Sequence, residues 1–267
     1  MSNTINWGKI QGLSYSPETN LTGTAAAPSF TNTKSIALDG VDDFVNIGTT
    51  SLGITSTISV SAWVKIPTTN TGGGGANIQV IIAEDPTSSG KRNWIMFWRG
   101  TGSNYFAWVI YHTNLSVSSV VSTSVVPNDG QWHHLLGTYD GTTNANGLKL
   151  YIDGLLNVQG TAGSTGINSF TSSEPTIGAT TGGGSWRFEG NIDEVAVWNS
   201  DQSANASAIY NSGVPNDIAS LSPLSWWRCG DGDTAPTLTD NGSGGNNGTM
   251  TNFSTFSTDV PVELFSR

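Results

Sequence analysis

The residues best equipped for chemistry lie in "SIALDGVDDFVNIG", residues 35–48, where Asp39, Asp42 and Asp43 interrupt a run that otherwise reads as strand. Neighbouring side chains of a strand point to opposite faces, so Asp42 and Asp43 do not join one site if the strand is regular there. Asp39-Gly40 is a turn signal in its own right. Two readings follow: the acids flank a tight turn, or they supply part of a cation site. The second needs more oxygens, and "GNIDEV" (190–195) offers Asp193 and Glu194. A hard cation such as Ca2+ gathers about six to eight oxygens, mixing carboxylates with turn carbonyls. "CGDGD", with Asp231 and Asp233, and "TDNGSGGNN", with Asp240, suit turns better than an EF-hand loop.

Other reactive residue types are sparse. His133 and His134 are adjacent and face opposite sides of a strand, and His112 stands alone. Three dispersed histidines and one cysteine do not make a zinc site. That cysteine, Cys229, allows no internal disulfide and reads as a small buried hydrophobe beside Trp226 and Trp227. "TGGGGAN" and "TTGGGS" lack the Lys and the following helix of a phosphate loop. The ten tryptophans are the larger resource. Aromatic rings stack on sugars, but Trp63, Trp94, Trp108, Trp132, Trp198 and Trp226 lie in strand-like runs and are expected to fill a core. Trp186, beside "TTGGGS" and Arg187, is the first choice for an exposed ligand or partner contact. Trp7, in the N-terminal segment, is a candidate anchor against a partner.

The elements that must hold these residues are short β-prone runs separated by Gly, Asn and Pro. "TISVSAWVKI" (57–66) alternates, with Ile58, Val60, Ala62 and Val64 on one side. "NIQVIIAE" (77–84) is a continuous apolar run suited to a sandwich strand. Further runs, from "NWIMFWRG" to "LSWWRC", bring the total to about a dozen, at sandwich-like spacing. One helix is expected, near 203–212, with Ser200 or Ser203 as its cap and Gly213 as its end.

Composition narrows the function. Charged residues are 11% of 267, below the usual quarter or so. The net charge of −10 opposes phosphate backbones, so nucleic acid is not an expected partner. No apolar run approaches the ~20 residues of a membrane span, and "MSNTINWGKI" has no signal-like apolar core. The expectation is synthesis in a cytoplasm without membrane insertion.

"SIALDGVDDFVNIG", "ISVSAWVKI", "QWHHLLGTYDG", "LKLYIDGLL", "TIGA" and "FEGNIDEVAVWN" occur in that order. This series resembles the laminin G-like, pentraxin-like branch of the concanavalin A-like jelly rolls. The resemblance implies an all-β sandwich of two antiparallel sheets over 35–213. It leaves 1–34 as an arm for attachment and 214–267 as a C-terminal segment. The latter either closes the sandwich or contacts partners, with a truncated second copy as the alternative origin. The resemblance also implies one structural Ca2+ held by Asp39, the Gly40 carbonyl and Asp193. Glucanases of this fold carry E-x-D-x-E on one strand. Here the nearest run is Glu189-Gly-Asn191-Ile-Asp193, with the middle acid replaced, so no enzymatic activity is expected. Its outer acids lie about 13 Å apart along a strand, against roughly 5–9.5 Å for hydrolytic pairs.

The tail "LSPLSWWRCGDGDTAPTLTDNGSGGNNGTM" (221–250), together with the Ser/Thr/Asn/Gly-rich composition, resembles bacteriophage virion proteins that carry a laminin G-like domain. The function implied is a virion structural protein, a capsid decoration or fibre, adhering to host-surface glycans. Its location would be the virion surface, and its partners other virion proteins and itself, as a homo-oligomer such as a trimer. The alternative is a calcium-assisted carbohydrate-binding module with no virion role.

Overall fold

Two antiparallel sheets stack face to face in the computed structural model, which describes residues 30–48, 50–70, 77–86, 91–100, 104–123 and 127–262. The first sheet has the order β1 (Ile36–Asp39), β12 (Glu189–Trp198), β3 (Ile58–Lys65), β8 (Trp132–Tyr139), β9 (Leu148–Ile152), β10 (Leu155–Gly160). β13 (Ser225–Trp227) pairs with the later part of β12, at Val195–Val197, while β1 pairs with its first part. The second sheet runs β14 (Thr237–Leu238), β15 (Gly248–Thr251), β2 (Phe44–Asn46), β11 (Thr176–Ile177), β4 (Ile78–Glu84), β5 (Trp94–Arg99), β6 (Tyr105–Tyr111), β7 (Val117–Val121). The jelly-roll sandwich expected from the motif order is the fold observed.

The alternation of β3 explains how the layers meet. Ile58, Val60, Ala62 and Val64 enter the core between the sheets, while Ser61, Trp63 and Lys65 face outward. From the second sheet, Trp94, Trp98, Trp108 and Phe106 fill the same core. Gly137 of β8 makes room for them: a Cβ there would stand 2.7 Å from the Trp108 ring. The backbone of β4 breaks register between Val80 and Ile82. This bulge keeps Ile81 and Ile82 in the core but sends Val80 and Ala83 to the outer face. That is why the run reads as continuous rather than alternating.

The outer face of the first sheet carries a roof. α1 (Ala206–Tyr210) lies between short 3-10 turns at Ser203–Asn205 and Asn211–Gly213. Ile209 of α1, with Ile218 beyond it, packs on Leu136, Ala196, Trp198 and Trp226. The start of this helical stretch differs from expectation. Neither Ser200 nor Ser203 is the cap: the N-cap positions are Gln202 for the 3-10 turn and Asn205 for α1, and Asp201 accepts the Ser203 N–H at 2.9 Å just ahead of them. α1 stops at Tyr210, where Asn211 turns left-handed with φ 47°.

Residues beyond 214 join both sheets through β13, β14 and β15. Among the described residues, no helix is long and apolar enough to cross a membrane.

Candidate functional site

The expected calcium set is not assembled. Asp39 pairs with Glu189 across β1 and β12, and a Cβ on Gly40 would meet Glu189 at 2.9 Å. Asp193 lies four residues further along β12, about 13 Å away. Motif order brings these residues to neighbouring strands but says nothing of register. What does converge is Asp39, Asp42 and Asp43, whose carboxylate oxygens lie within 4.8 Å of one another. Much of that convergence is turn chemistry. Asp39 Oδ1 accepts the N–H groups of Val41 and Asp42 at 2.8 and 3.3 Å, and Asp43 Oδ2 accepts that of Asp39 at 3.2 Å. These backbone bonds, led by Val41, hold the Asp39 carboxyl low; burial, then the charge of Asp39, pushes that of Asp43 up.

Asp193 and Glu194 belong to a different structure. β12 slips against β3 between Asp193 and Ala196, with Glu194 at φ 46°. The slip places both acids under the roof rather than one on each face. Asp193 is fully buried. It accepts Nδ2 of Asn32 at 2.8 Å and the Glu194 N–H at 2.8 Å. Glu194 accepts the Trp226 Nε1–H at 2.6 Å and Arg228 Nε at 3.3 Å. Burial pushes the Glu194 carboxyl up to about 7 despite Arg228, and burial plus the neighbouring Glu194 pushes Asp193 well above its ordinary value. Phe30 stacks on Trp226 at 6.0 Å and takes the Arg228 guanidinium over its ring at 4.1 Å, so the chain at 30–32 covers this cluster. Both acids are thus nearly closed off from water.

The histidines split as their adjacency requires. His133 approaches Phe106 and donates from Nδ1 to the Asp153 carboxylate at 2.9 Å. His134 faces outward beside Trp63 and shares a 2.8 Å hydrogen bond with Ser61. Burial pushes its imidazole down to about 4, so it stays neutral.

The open aromatic surface is on the outer face of the second sheet. Trp186, half-buried at φ 61°, packs against Val80, Ala83, Ile95 and Val109, with Phe97 and Tyr111 alongside. Its carbonyl accepts the Val80 N–H at 2.8 Å, which fixes the loop to β4. Arg92, just before β5, sits with its guanidinium carbon 5.3 Å from the Tyr111 ring centre and 5.5 Å from that of Trp186. Its Nε meets the buried Asp85 carboxylate at 3.1 Å, and its Nη1 donates to the Tyr111 hydroxyl at 2.8 Å. Burial, then Asp85, raises the Tyr111 phenol, which stays protonated. Beside this group opens a cavity of about 320 Å3, lined by Arg92, Tyr111, Leu115, Ser116, Val117 and Asn168. Leu115 and Val117 are 76% and 55% exposed at its rim. Fixed polar groups beside half-exposed rings can hold a ring-shaped polyol: the faces pack on C–H groups, the edges donate and accept.

Of the two tryptophans expected to make contacts, Trp186 is on this surface and Trp7 lies outside the described residues. Arg92 and Tyr111 are functional candidates that sequence reasoning misses. Tyr111 shares the outward parity of Val109 on β6, a signal that could find it. Arg92 stands before β5, where no strand parity applies. Trp63, Trp198 and Trp226 are buried as expected, but on the outer face of the first sheet and not between the sheets, and Trp132 leaves the core altogether. Trp63 and Trp132 carry the outward parity of their strands, opposite to Val64 and Leu135, and Trp132 is only half-buried.

A family described as the Concanavalin A-like lectin/glucanases superfamily matches residues 39–206. The chain belongs to this superfamily. Among solved structures, a Bacteroides ovatus protein to which carbohydrate binding has been ascribed superposes with TM-score 0.63 at 19% identity, over 87% of this chain and 62% of that one. The chain thus spans less than two thirds of that protein. The heptameric SAP-like pentraxin of Limulus polyphemus superposes with TM-score 0.50 at 14% identity, over 67% of this chain and 82% of that one. At these identities the likeness establishes the lectin-like jelly-roll fold. No curated protein matches the chain in sequence.

Proposed function

We propose that this superfamily member is a non-catalytic glycan-binding protein, and that it serves on a bacteriophage particle as a decoration or fibre subunit facing the host surface. The observation that carries the binding reading is the Trp186–Arg92–Tyr111 group, an aromatic ledge with a fixed guanidinium beside a cavity of about 320 Å3. That volume falls within the roughly 300–1,000 Å3 of small-ligand sites. The carbohydrate binding ascribed to the Bacteroides ovatus protein supports it at the level of fold. Binding rather than catalysis is favoured by Asn191 between Glu189 and Asp193, and by the burial of Asp193. The virion role is supported by the low charge, the Ser/Thr/Asn/Gly-rich composition and the tail at 221–250.

A second reading, a calcium-assisted module, is favoured by the convergence of Asp39, Asp42 and Asp43. One experiment separates the two. The intact protein and Trp186→Ala are applied to a glycan array with calcium and with chelator. Binding that survives chelator and falls at least tenfold in the variant supports the ledge. Binding lost to chelator alone supports calcium. No binding in either condition removes the lectin claim. For the virion role, purified protein is added to particles lacking it. A monomer that fails to join them would end that reading.

A further inference from the structure

The first sheet has an aromatic cavity of its own, and its walls come from three separate parts of the chain. On β3, Trp63 and Lys65 face outward, and Lys65 stands opposite Trp132 of β8. Tyr210, the last residue of α1, stacks on Trp63 at 5.6 Å and 25°. The third wall is the C-terminal segment. Asp259 takes Lys65 Nζ at 2.6 Å on one carboxylate oxygen and Trp132 Nε1 at 3.0 Å on the other. This wall is anchored independently: Ser257 and Ser35 exchange backbone hydrogen bonds of 3.0 and 2.9 Å, and Ser35 Oγ donates to the Asp259 carbonyl at 2.7 Å. The space enclosed is about 360 Å3. Trp63, Lys65 and Trp132 lie within the 39–206 match, whereas Tyr210 and Asp259 lie beyond it.

We infer that this cavity is a second carbohydrate-binding site, one that takes a neutral pyranose. The volume suits a small ring-shaped ligand. Trp132 and Tyr210 offer ring faces and edges, while Gln131 and Ser212 add amide and hydroxyl groups. The charge pattern selects among sugars. Lys65 and Asp259 neutralise each other, so a uronate or an amino sugar would have to break the pair to gain a partner, whereas hydroxyls bond to it as it stands. This site does not depend on the ledge around Trp186.

The test uses the full chain and methyl pyranosides of glucose, galactose and mannose, with glucuronate and glucosamine as charged counterparts. Indole N–H resonances report the site. Millimolar titration with at least one neutral pyranoside is expected to move the Trp132 indole signal, whether or not that of Trp186 moves as well. Trp132→Phe keeps bulk but loses the bond to Asp259, and should weaken the affinity read from the Trp63 indole, which lines the same cavity, at least fivefold. A Trp132 signal unmoved by all three pyranosides overturns the inference, as does equal binding of the charged sugars. Because the glycan array reads the Trp186 ledge separately, failure of one site leaves a distinct record from failure of the other.

Discussion

The two outer faces of this sandwich have opposite fates. On the first sheet a short helix and the turns after it roof the centre, so Asp193, Glu194, His134 and Trp198 lose nearly all contact with water. On the second sheet one loop tryptophan and one arginine cover a comparable apolar patch, and the edge stays open. Similar materials serve both, with Trp, Arg and an acid in each cluster. Where the cover is complete, ionisable groups become terms in stability. Where it is partial, the same chemistry is left facing solvent.

The largest effect that follows from this contrast is on folding. Trp198 has no exposure, and its Nε1 donates to the Leu221 carbonyl at 3.1 Å, stapling the roof to the sheet. Trp198→Ala should cost about 3–5 kcal/mol in urea unfolding. Trp186→Ala, on the open face, should cost about 1–2 kcal/mol while removing glycan binding. Equal losses would mean that the second face is as much a core as the first.

A smaller effect is expected from pH. The Glu194 carboxyl is raised from 4.5 to about 7 in the fold. Its protonated form is therefore favoured by folding. That contribution is fully present below about 4.5 and is lost as pH rises through 7. His134 acts in the other direction: its contribution is present above 6.5 and is lost as pH falls through about 4. The charges facing Glu194 are Asp193, Arg228 and Asp231, and Asp193, also raised, adds to the fall at higher pH. Glu194→Gln keeps an acceptor for Trp226 and should flatten the decline in Tm between pH 4.5 and 7. An unchanged profile would show that the site is wetter than its burial implies.

The sequence speaks clearly where one rule decides. Alternation at Ile58, Val60, Ala62 and Val64 names a core face, and the order of motifs names the fold. It misleads where a second element decides. Trp63 and Trp132, large and apolar, read as core. Their parity already points outward, but nothing local announces that Tyr210 and Asp259 will come to meet them. Register is hidden likewise. Asp39 and Asp193 sit on neighbouring strands, yet pairing sets Asp39 against Glu189. The slip in β12, which turns Glu194 under the roof, leaves no mark that residue types reveal.

The smallest effect tests whether the roof and the first-sheet cavity are one structure. Asp153-Gly154 forms the two-residue turn between β9 and β10, with φ of 51° and 75°, the left-handed pair such hairpins need. A Cβ on Gly154 would stand 2.7 Å from Tyr210 Cδ1. Gly53 has nearly the same φ, 73°, and nothing within 4 Å of its Cβ position. Both alanine variants should therefore lose about 1 kcal/mol from backbone strain alone. Only Gly154→Ala must also move the ring that stacks on Trp63. It alone should shift the Trp63 indole resonance and lower pyranoside affinity, by about twofold to threefold. If Gly53→Ala matches it in both readouts, Tyr210 is a bystander, and the cavity depends on Trp132 and Asp259 without help from the helix.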